Sequence, residues 1–504
     1  MLLINPPVVK PCEPPPGLAK LGGALKYHGI DCQVIDANIE GLSFLLENAV
    51  MQPDMPPTTS IKRARSHLRS NIKSLQSPDV YQKPAAYKQA VLDINRVLGE
   101  LSDRFGVKLG LANYIDRHLS PVSSRDLLAA CHRPEINIFH PYFEHRLGPI
   151  AEDTSCKMVG ISLNFLSQAL CTFAMIGFLK QKNPGLKIVL GGGLVTSWAR
   201  GLNRPNPFPG IVDEFIAGPG ENRLLSLFGV TDMQDHYPPD YDPFLSYPYL
   251  APGFILPYST AGGCYWNRCS FCPEKAEGND FLPIPVNSVM TDLEMLSARI
   301  KPVLIHLTDN AIRPALLKAM SDSPIHTPWY GFARFTSHLS DVDFCLSLKA
   351  SGCVMLKLGL ESGDQELLDR LNKGIDLELV SAALAALKKV GIRTYIYLLF
   401  GTPAENYPSA IKTLDFIVNH REQIDYANLA VFNLPAYGPD ADKLDTEYFY
   451  DGDLSLYRSF SHPRGWHRNR VRQFLDKELK RHPDIAAIVR KNPPVFTSNH
   501  APFF

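Results

Sequence analysis

The stretch Gly262-Gly263-Cys264-Tyr265-Trp266-Asn267-Arg268-Cys269-Ser270-Phe271-Cys272-Pro273 constrains this chain more than any other part of it. Its three cysteines are spaced C-x4-C-x2-C. Just before them Ile255-Leu256-Pro257-Tyr258-Ser259-Thr260 reads as a short strand, and the glycine pair lets the backbone turn tightly into a loop. Three thiolates on one loop can grip a soft metal centre from one side. A structural zinc site asks for four ligands, usually as two pairs. A plant-type ferredoxin loop has this same spacing but needs a fourth cysteine. Here Cys345 follows Cys272 by 73 residues (345 − 272), beyond at least one helix and two strands. An iron–sulfur cluster with one open iron fits best. Zinc, and three unrelated buried thiols, are the weaker readings.

Composition bounds the rest. A chain of 504 residues should hold two or three domains. With 45% hydrophobic and 20% charged residues it reads as an ordinary globular protein. A formal net charge of zero gives no global field that would favour nucleic acid or an anionic membrane. Ten cysteines are too few for a disulfide scaffold, and the clustered three want a reducing compartment. The start, Met1 to Pro7, lacks the basic and long apolar regions of a signal peptide, and no apolar run approaches the ~18 residues of a membrane helix. A cytoplasmic enzyme is the expectation.

In chain order, Leu2-Leu3-Ile4-Asn5 reads as a buried strand ended by Pro6-Pro7. A helix opens near Pro16, and Cys32 to Asp36 is the next strand. Strand, helix, strand implies a parallel sheet. From about residue 39 to 152 a helix-rich, proline-punctuated segment breaks that rhythm and reads as a helical insertion; its basic run, Lys62 to Arg69, reads as a solvated helix face. The sheet resumes at Met158, and two further strands run into Gly191-Gly192-Gly193 and Gly218-Pro219-Gly220-Glu221. The carboxyl edge of an open α/β sheet binds ligands, and glycines there let a planar ligand or a phosphate approach the backbone. The fold class is therefore α/β. A Rossmann-like, doubly wound parallel sheet occupies residues 1–228, and a linker rich in proline, tyrosine and aspartate covers 229–253. Over 254–440 about six strand–helix units form a partial (β/α)6 TIM-like barrel, whose strand C-termini should carry the chemistry. Residues 441–504 are a C-terminal extension whose basic stretch, Arg464 to Arg472, reads as an amphipathic helix over the open side of the barrel.

The cysteine loop resembles the cluster loop of radical S-adenosylmethionine (SAM) enzymes. The commonest family spacing is C-x3-C-x2-C; the extra residue here also occurs in cobalamin-linked members with a Cys-Tyr-Trp start. The resemblance implies a [4Fe–4S] cluster held by Cys264, Cys269 and Cys272, with SAM chelated on the fourth iron and cleaved reductively to a 5′-deoxyadenosyl radical. It also implies SAM-binding stations on the barrel rim. Thr308-Asp309-Asn310 stands where many members carry the Gly-Gly-Glu that binds the methionine amine, which makes Asp309 a candidate. Arg334 would pair with the SAM carboxylate, since a guanidinium suits that planar group. Glu361 and Ser362 match the station for the ribose and the methionine end. The Phe271 backbone, Leu399 and Phe432 match adenine contacts. Residues 1–36 with 153–228 resemble the cobalamin-binding domain that precedes this barrel in one large subclass. Ser162, Asn164, Gly191, Gly192, Gly193, Gly218 and Glu221 would line the corrin. The D-x-H-x-x-G motif that supplies a cobalt-ligating histidine elsewhere is absent, as it is from many radical SAM relatives that hold cobalamin.

The function implied is a cobalamin-dependent methyltransferase acting on an unactivated carbon of a small-molecule or peptide substrate. Its electron would come from an external donor such as flavodoxin or ferredoxin, with no membrane or nucleic-acid partner. Two other readings stand beside it. One is radical rearrangement or cyclisation with a degenerate cobalamin domain. The other is an electron-transfer iron–sulfur protein, which would not need SAM stations. Methylthiolation is disfavoured, because Cys12, Cys32, Cys131, Cys156 and Cys171 are scattered rather than grouped as a second ligand set.

Overall fold

Leu2–Asn5 (β1) is buried at every residue, as expected of a central parallel strand covered on both faces. It begins the first of two compact units in a computed structural model that describes residues 1–49, 58–153, 155–201, 206–494 and 499–504. That unit runs from Met1 to Gly253 and includes Tyr450–Leu456. The helix Pro16–Tyr27 leads from β1 to its parallel neighbour β2 (Gln33–Asp36).

The inserted segment follows. It is helical at Ala37–Ala49, Thr59–Ser66, Leu68–Leu75, Pro84–Asp103 and Ser124–His132. It also contains an antiparallel hairpin, β3 (Val107–Gly110) and β4 (Asn113–Asp116), which the sequence reading did not separate from the helices. Four-residue strands give too few alternations for a period of two to stand out. Glu40 fastens the insertion by accepting hydrogen bonds from Tyr142 (2.8 Å), Arg146 (2.9 Å) and Tyr247 (3.0 Å). Tyr247 belongs to the stretch expected as a linker. That stretch packs as a strap on this unit: Tyr249 donates to Asp36 at 2.7 Å, and the Leu250 amide to the Pro11 carbonyl at 2.8 Å.

β5 (Met158–Ser162), β6 (Lys187–Gly191) and β7 (Glu214–Ile216) complete a parallel sheet in the order β2-β1-β5-β6-β7. With the hairpin set aside this is the 2-1-3-4-5 order of the flavodoxin-type doubly wound fold. The winding reverses between β1 and β5, which is where such sheets open a crevice for ligands.

The second unit holds Phe254–Phe449 and Tyr457–Pro493. β8 (Ile255–Tyr258) leads to the cysteine loop, which a short ladder between β9 (Ala261–Gly262) and β10 (Leu282–Pro283) brackets. Then come β11 (Leu304–Leu307), β12 (Trp329–Ala333), β13 (Cys353–Glu361), β14 (Arg393–Phe400) and β15 (Tyr426–Val431). They form a six-stranded parallel sheet in the order β15-β14-β13-β12-β11-β8. β8 and β15 do not pair, so the barrel is partial. Helix starts are fixed by side-chain caps: Asp341 on 342–350, Asp376 on 377–390 and Asn406 on 407–419 each accept backbone N–H groups of the first turn.

Beyond Leu434 the sequence shows no regular pattern. The chain nevertheless builds an antiparallel sheet from β16 (Leu434–Pro435), β17 (Thr446–Tyr448) and β18 (Tyr457–Phe460), in the order β16-β18-β17. The helices Arg468–Lys477 and Pro483–Lys491 lie against β15, and the Asn492 side-chain amide donates to the Ala427 carbonyl at 2.7 Å. The extension thus covers an edge strand whose backbone groups would otherwise be unpaired. Among the described residues no helix is long and apolar enough to cross a membrane.

Candidate cluster and cofactor sites

The cysteine loop is held at both ends. At its entry the Thr260 amide and hydroxyl both donate to the Asp309 carboxylate, at 3.1 and 2.6 Å. Burial pushes the Asp309 carboxyl up, and the two bonds from Thr260 oppose that shift. Asp309 therefore braces the loop entry; its neighbour Asn310 donates to the Gly263 carbonyl at 3.4 Å.

Further along, the turn Leu371–Gly374 grips the loop. The Ser270 amide donates to the Leu371 carbonyl at 3.0 Å, and the Trp266 indole N–H to the Asn372 carbonyl at 3.1 Å. Gly374 has a φ of +64°, and a Cβ there would lie 2.1 Å from the Trp266 ring. Only glycine meets both conditions.

Cys269 is buried, and Cys264 and Cys272 are half-buried. Burial pushes the Cys272 thiol up to about 11. It also raises Cys269, against the lowering effect of the Lys373 and Arg334 charges. Among the described residues no three His, Cys, Asp or Glu side chains converge on one metal position. A cluster takes one thiolate per iron and spreads its ligands more widely than a single ion does.

Around the loop the structure gathers Phe271, Arg334 and Glu361, which the sequence singled out, and Lys373, which it did not. Glu361 ends β13 at a φ of +66° and pairs with the Lys373 ammonium at 2.8 Å, both side chains being nearly buried. The same ammonium lies 5.8 Å from the centre of the Phe271 ring. Arg334 lies over the Trp266 ring at 4.2 Å, reaches Cys269 Sγ at 3.9 Å and donates to the Lys373 carbonyl. Phe271, Leu399 and Phe432 share one apolar cluster with Leu434 and Phe460. Ser362 is turned elsewhere. Its hydroxyl is 3.0 Å from that of Thr413 and accepts from the Asp364 amide, so it ties the end of β13 to the helix 407–419. Deeper in the barrel Lys357 Nζ lies 3.2 Å from His306 Nε2, beneath the rings of Tyr330 and Phe332. Nothing in a lone strand lysine signals that surrounding. Lys373 had a weak signal, an Asn-Lys-Gly turn directly after a helix.

The first unit has a cavity of about 210 Å³ at the crevice between β1 and β5. Ser162, Asn164, Gly191, Gly192, Gly218 and Glu221 line it, together with Gly17 and Lys20; Gly193 lies outside the lining. The Gly193 amide instead donates to Asn164 Oδ1 at 2.9 Å, which joins two strand-end loops. Gly192 has a φ of +113°, and a Cβ there would meet the Leu163 carbonyl at 2.4 Å. The close approach of backbone to backbone already demands that glycine. Lys20, on one helix face with Gly17 and Leu21, pairs with Glu221 at 2.8 Å. Burial pushes the Glu221 carboxyl up, but the Lys20 charge and hydrogen bond prevail and hold it below the ordinary value.

Residues 258–417 match the model of the Radical SAM superfamily. No curated protein matches the sequence. Solved structures give the fold. The radical SAM methyltransferase TsrM from Kitasatospora setae, with cobalamin and a [4Fe–4S] cluster bound, is 16% identical over 90% of this chain and 82% of its own, with a TM-score of 0.51. The same enzyme with tryptophan and the SAM analogue aza-SAM gives 14%, 97%, 89% and 0.54. The cobalamin-dependent enzyme OxsB with aqua-cobalamin gives 12%, 92%, 64% and 0.55. The family match thus falls on the partial barrel and includes the cysteine loop. More particularly, over 90% and 92% of its length the chain shares the fold of these two cobalamin-bound structures.

Proposed function

We infer that this enzyme is a cobalamin-dependent radical SAM methyltransferase that acts on an unactivated carbon of a small-molecule or peptide substrate. One observation carries the reading: a single chain holds two sites of the required chemistry. One is a three-thiol loop packed against Arg334, Glu361 and Lys373. The other is a glycine-edged cavity at the reversal point of the N-terminal sheet.

The residues fit the groups. Three thiolates leave one iron of a four-iron cluster open, and the two further cysteines of this unit are engaged elsewhere: Cys345 donates to the Leu339 carbonyl, and Cys353 begins β13, at the far end from Glu361. With the cofactors bound, the cluster and SAM supply a 5′-deoxyadenosyl radical and cobalamin supplies the methyl group. Cys264, Cys269 and Cys272 hold the cluster. Glu361, oriented by Lys373, offers its free oxygen to the ribose or methionine end of SAM. Phe271, Leu399 and Phe432 give the adenine an apolar wall and keep water from it. At the other site Ser162, Asn164 and the backbone at Gly191 and Gly218 face the corrin. A low-potential donor such as flavodoxin or ferredoxin, in a reducing cytoplasm, completes the system. The cobalamin-bound neighbours support this reading through their shared fold.

Anaerobic reconstitution with iron, sulfide and hydroxocobalamin tests it. The wild-type chain should hold four irons and one cobalamin and form 5′-deoxyadenosine from SAM. Cys269→Ala should lose the iron–sulfur absorbance near ~400 nm and the cleavage with it. Undiminished deoxyadenosine from that variant would end the cluster assignment. A wild-type chain that keeps its cluster but retains no cobalamin would move the enzyme to non-methylating radical chemistry.

A further inference from the structure

Arg334 is engaged in a way that a partner for the SAM carboxylate would not need. The residue is 8% exposed. Its guanidinium carbon lies 4.2 Å from the centre of the Trp266 ring, Nη2 donates to the Lys373 carbonyl, and Nη1 faces Cys269 Sγ at 3.9 Å. Both terminal nitrogens are thus occupied by the protein itself. Among the described residues no carboxylate pairs with this charge, because the nearby Glu361 is taken by Lys373. The other cation on Trp266, Arg268, lies 5.0 Å from the ring centre on the exposed loop.

A buried guanidinium without a counter-charge is costly. Its hydrogen-bond partner is a thiol that the proposed function makes a cluster ligand. A cluster carried by three thiolates is electron-rich, and one electron from an external donor adds a further negative charge. A fixed cation and an N–H···S bond stabilise that reduced form more than the oxidised one, because the attraction grows with the charge on the partner.

We propose that Arg334 raises the reduction potential of the cluster by donating to Cys269 Sγ from a fork locked between the Trp266 ring and the Lys373 carbonyl. The inference rests on Cys264, Cys269 and Cys272 being the cluster ligands. It makes Arg334 a positioning residue whose effect is present before SAM binds.

The test is a redox titration of the full-length chain, reconstituted anaerobically with iron and sulfide, in the absence of SAM. Titanium(III) citrate sets the poise, and electron paramagnetic resonance counts the reduced cluster. At a fixed poise Arg334→Gln should lower the ratio of reduced to oxidised cluster about tenfold, which for one electron is about 59 mV to the negative side. Arg334→Lys should recover part of this, since it keeps the charge but not the fork. Trp266→Leu, which frees the fork without removing the charge, should shift the potential the same way by less. An unchanged midpoint in an iron-replete Arg334→Gln variant, with only SAM affinity reduced, would overturn the proposal and return Arg334 to the SAM carboxylate. Loss of iron from all three variants would overturn it too, by assigning Arg334 to loop assembly. A wild-type chain that takes up no cluster would instead bring down the proposed function on which the inference stands.

Discussion

At the level of single residues, the Glu361–Lys373 pair joins a carboxylate and an ammonium that have little access to water. Both side chains are nearly buried and 2.8 Å apart. Lys373→Met strands the carboxylate without its cation and should cost about 3–5 kcal/mol in urea unfolding of the iron-free chain. Adding Glu361→Gln should recover most of that, because a neutral amide needs no counter-charge. If the double variant is no more stable than the single one, the pair is not the source of the loss.

Glu405 gives a second prediction at this scale. Its carboxyl is fully buried in the turn after β14, where it accepts from the Gly401 amide and the Trp466 indole N–H. Burial pushes it up to about 8, against the lowering effect of those bonds. From its ordinary value of 4.5 up to about 8 the unfolded chain is ionised while the folded chain still holds the proton. Stability from this group is therefore lost as pH rises through that window, by about 1.4 kcal/mol per pH unit, and levels off above it. Glu405→Gln removes the slope, so its stability relative to the parent should rise between about pH 5 and pH 8. Parallel stability–pH curves for the two proteins would contradict this.

At the scale of elements, the cysteine loop is an irregular segment that two other elements hold in shape. The turn 371–374 lies between two helices of the barrel, touches the loop through Ser270 and Trp266, and accepts a hydrogen bond from Arg334 at the end of β12. Gly374→Ala would drive a methyl group into the Trp266 ring at a φ that L residues avoid. We expect a loss of about 1–3 kcal/mol and, more tellingly, lower iron content after reconstitution. Combining it with Trp266→Ala should restore iron loading in part, since the clash is relieved and only the φ strain remains. Full iron content in Gly374→Ala alone would mean that the loop orders without the turn.

The whole molecule consists of two units, each with its own sheet and its own candidate cofactor site, so the two sites should fail independently. Gly192→Leu would not separate them cleanly, because the new side chain would strike the Leu163 backbone and unsettle the sheet edge. Gly17 is a better probe. It lines the cavity from the helix 16–27, has no left-handed φ, and a Cβ there meets only Ser162 Oγ at an ordinary 3.7 Å. Gly17→Leu should fill the cavity and abolish cobalamin retention while the chain keeps four irons and melts as the parent does. Absorbance after gel filtration measures the first, iron analysis the second and circular dichroism the third. Cobalamin bound at parental stoichiometry would show that the cavity is not its site.

The sequence by itself determined what depends on covalent spacing and local periodicity. The three-cysteine loop, both parallel sheets, the glycine-rich strand ends and the barrel's partial strand count are all legible there, because apolar patterns and turn residues repeat over neighbouring positions. The small sheets were not. The hairpin of the insertion and the antiparallel strands after Leu434 are too short to show a period. Tertiary structure alone decided how the rim residues are used. Asp309 turns inward to Thr260, Ser362 is bound to Thr413, and Lys373 joins Glu361 beside the cysteine loop. Arg334 meets partners 39 and 65 residues away in sequence. A strand end fixes where such a side chain starts; which of several polar groups within reach it bonds is set by the packing of elements that share no local signal.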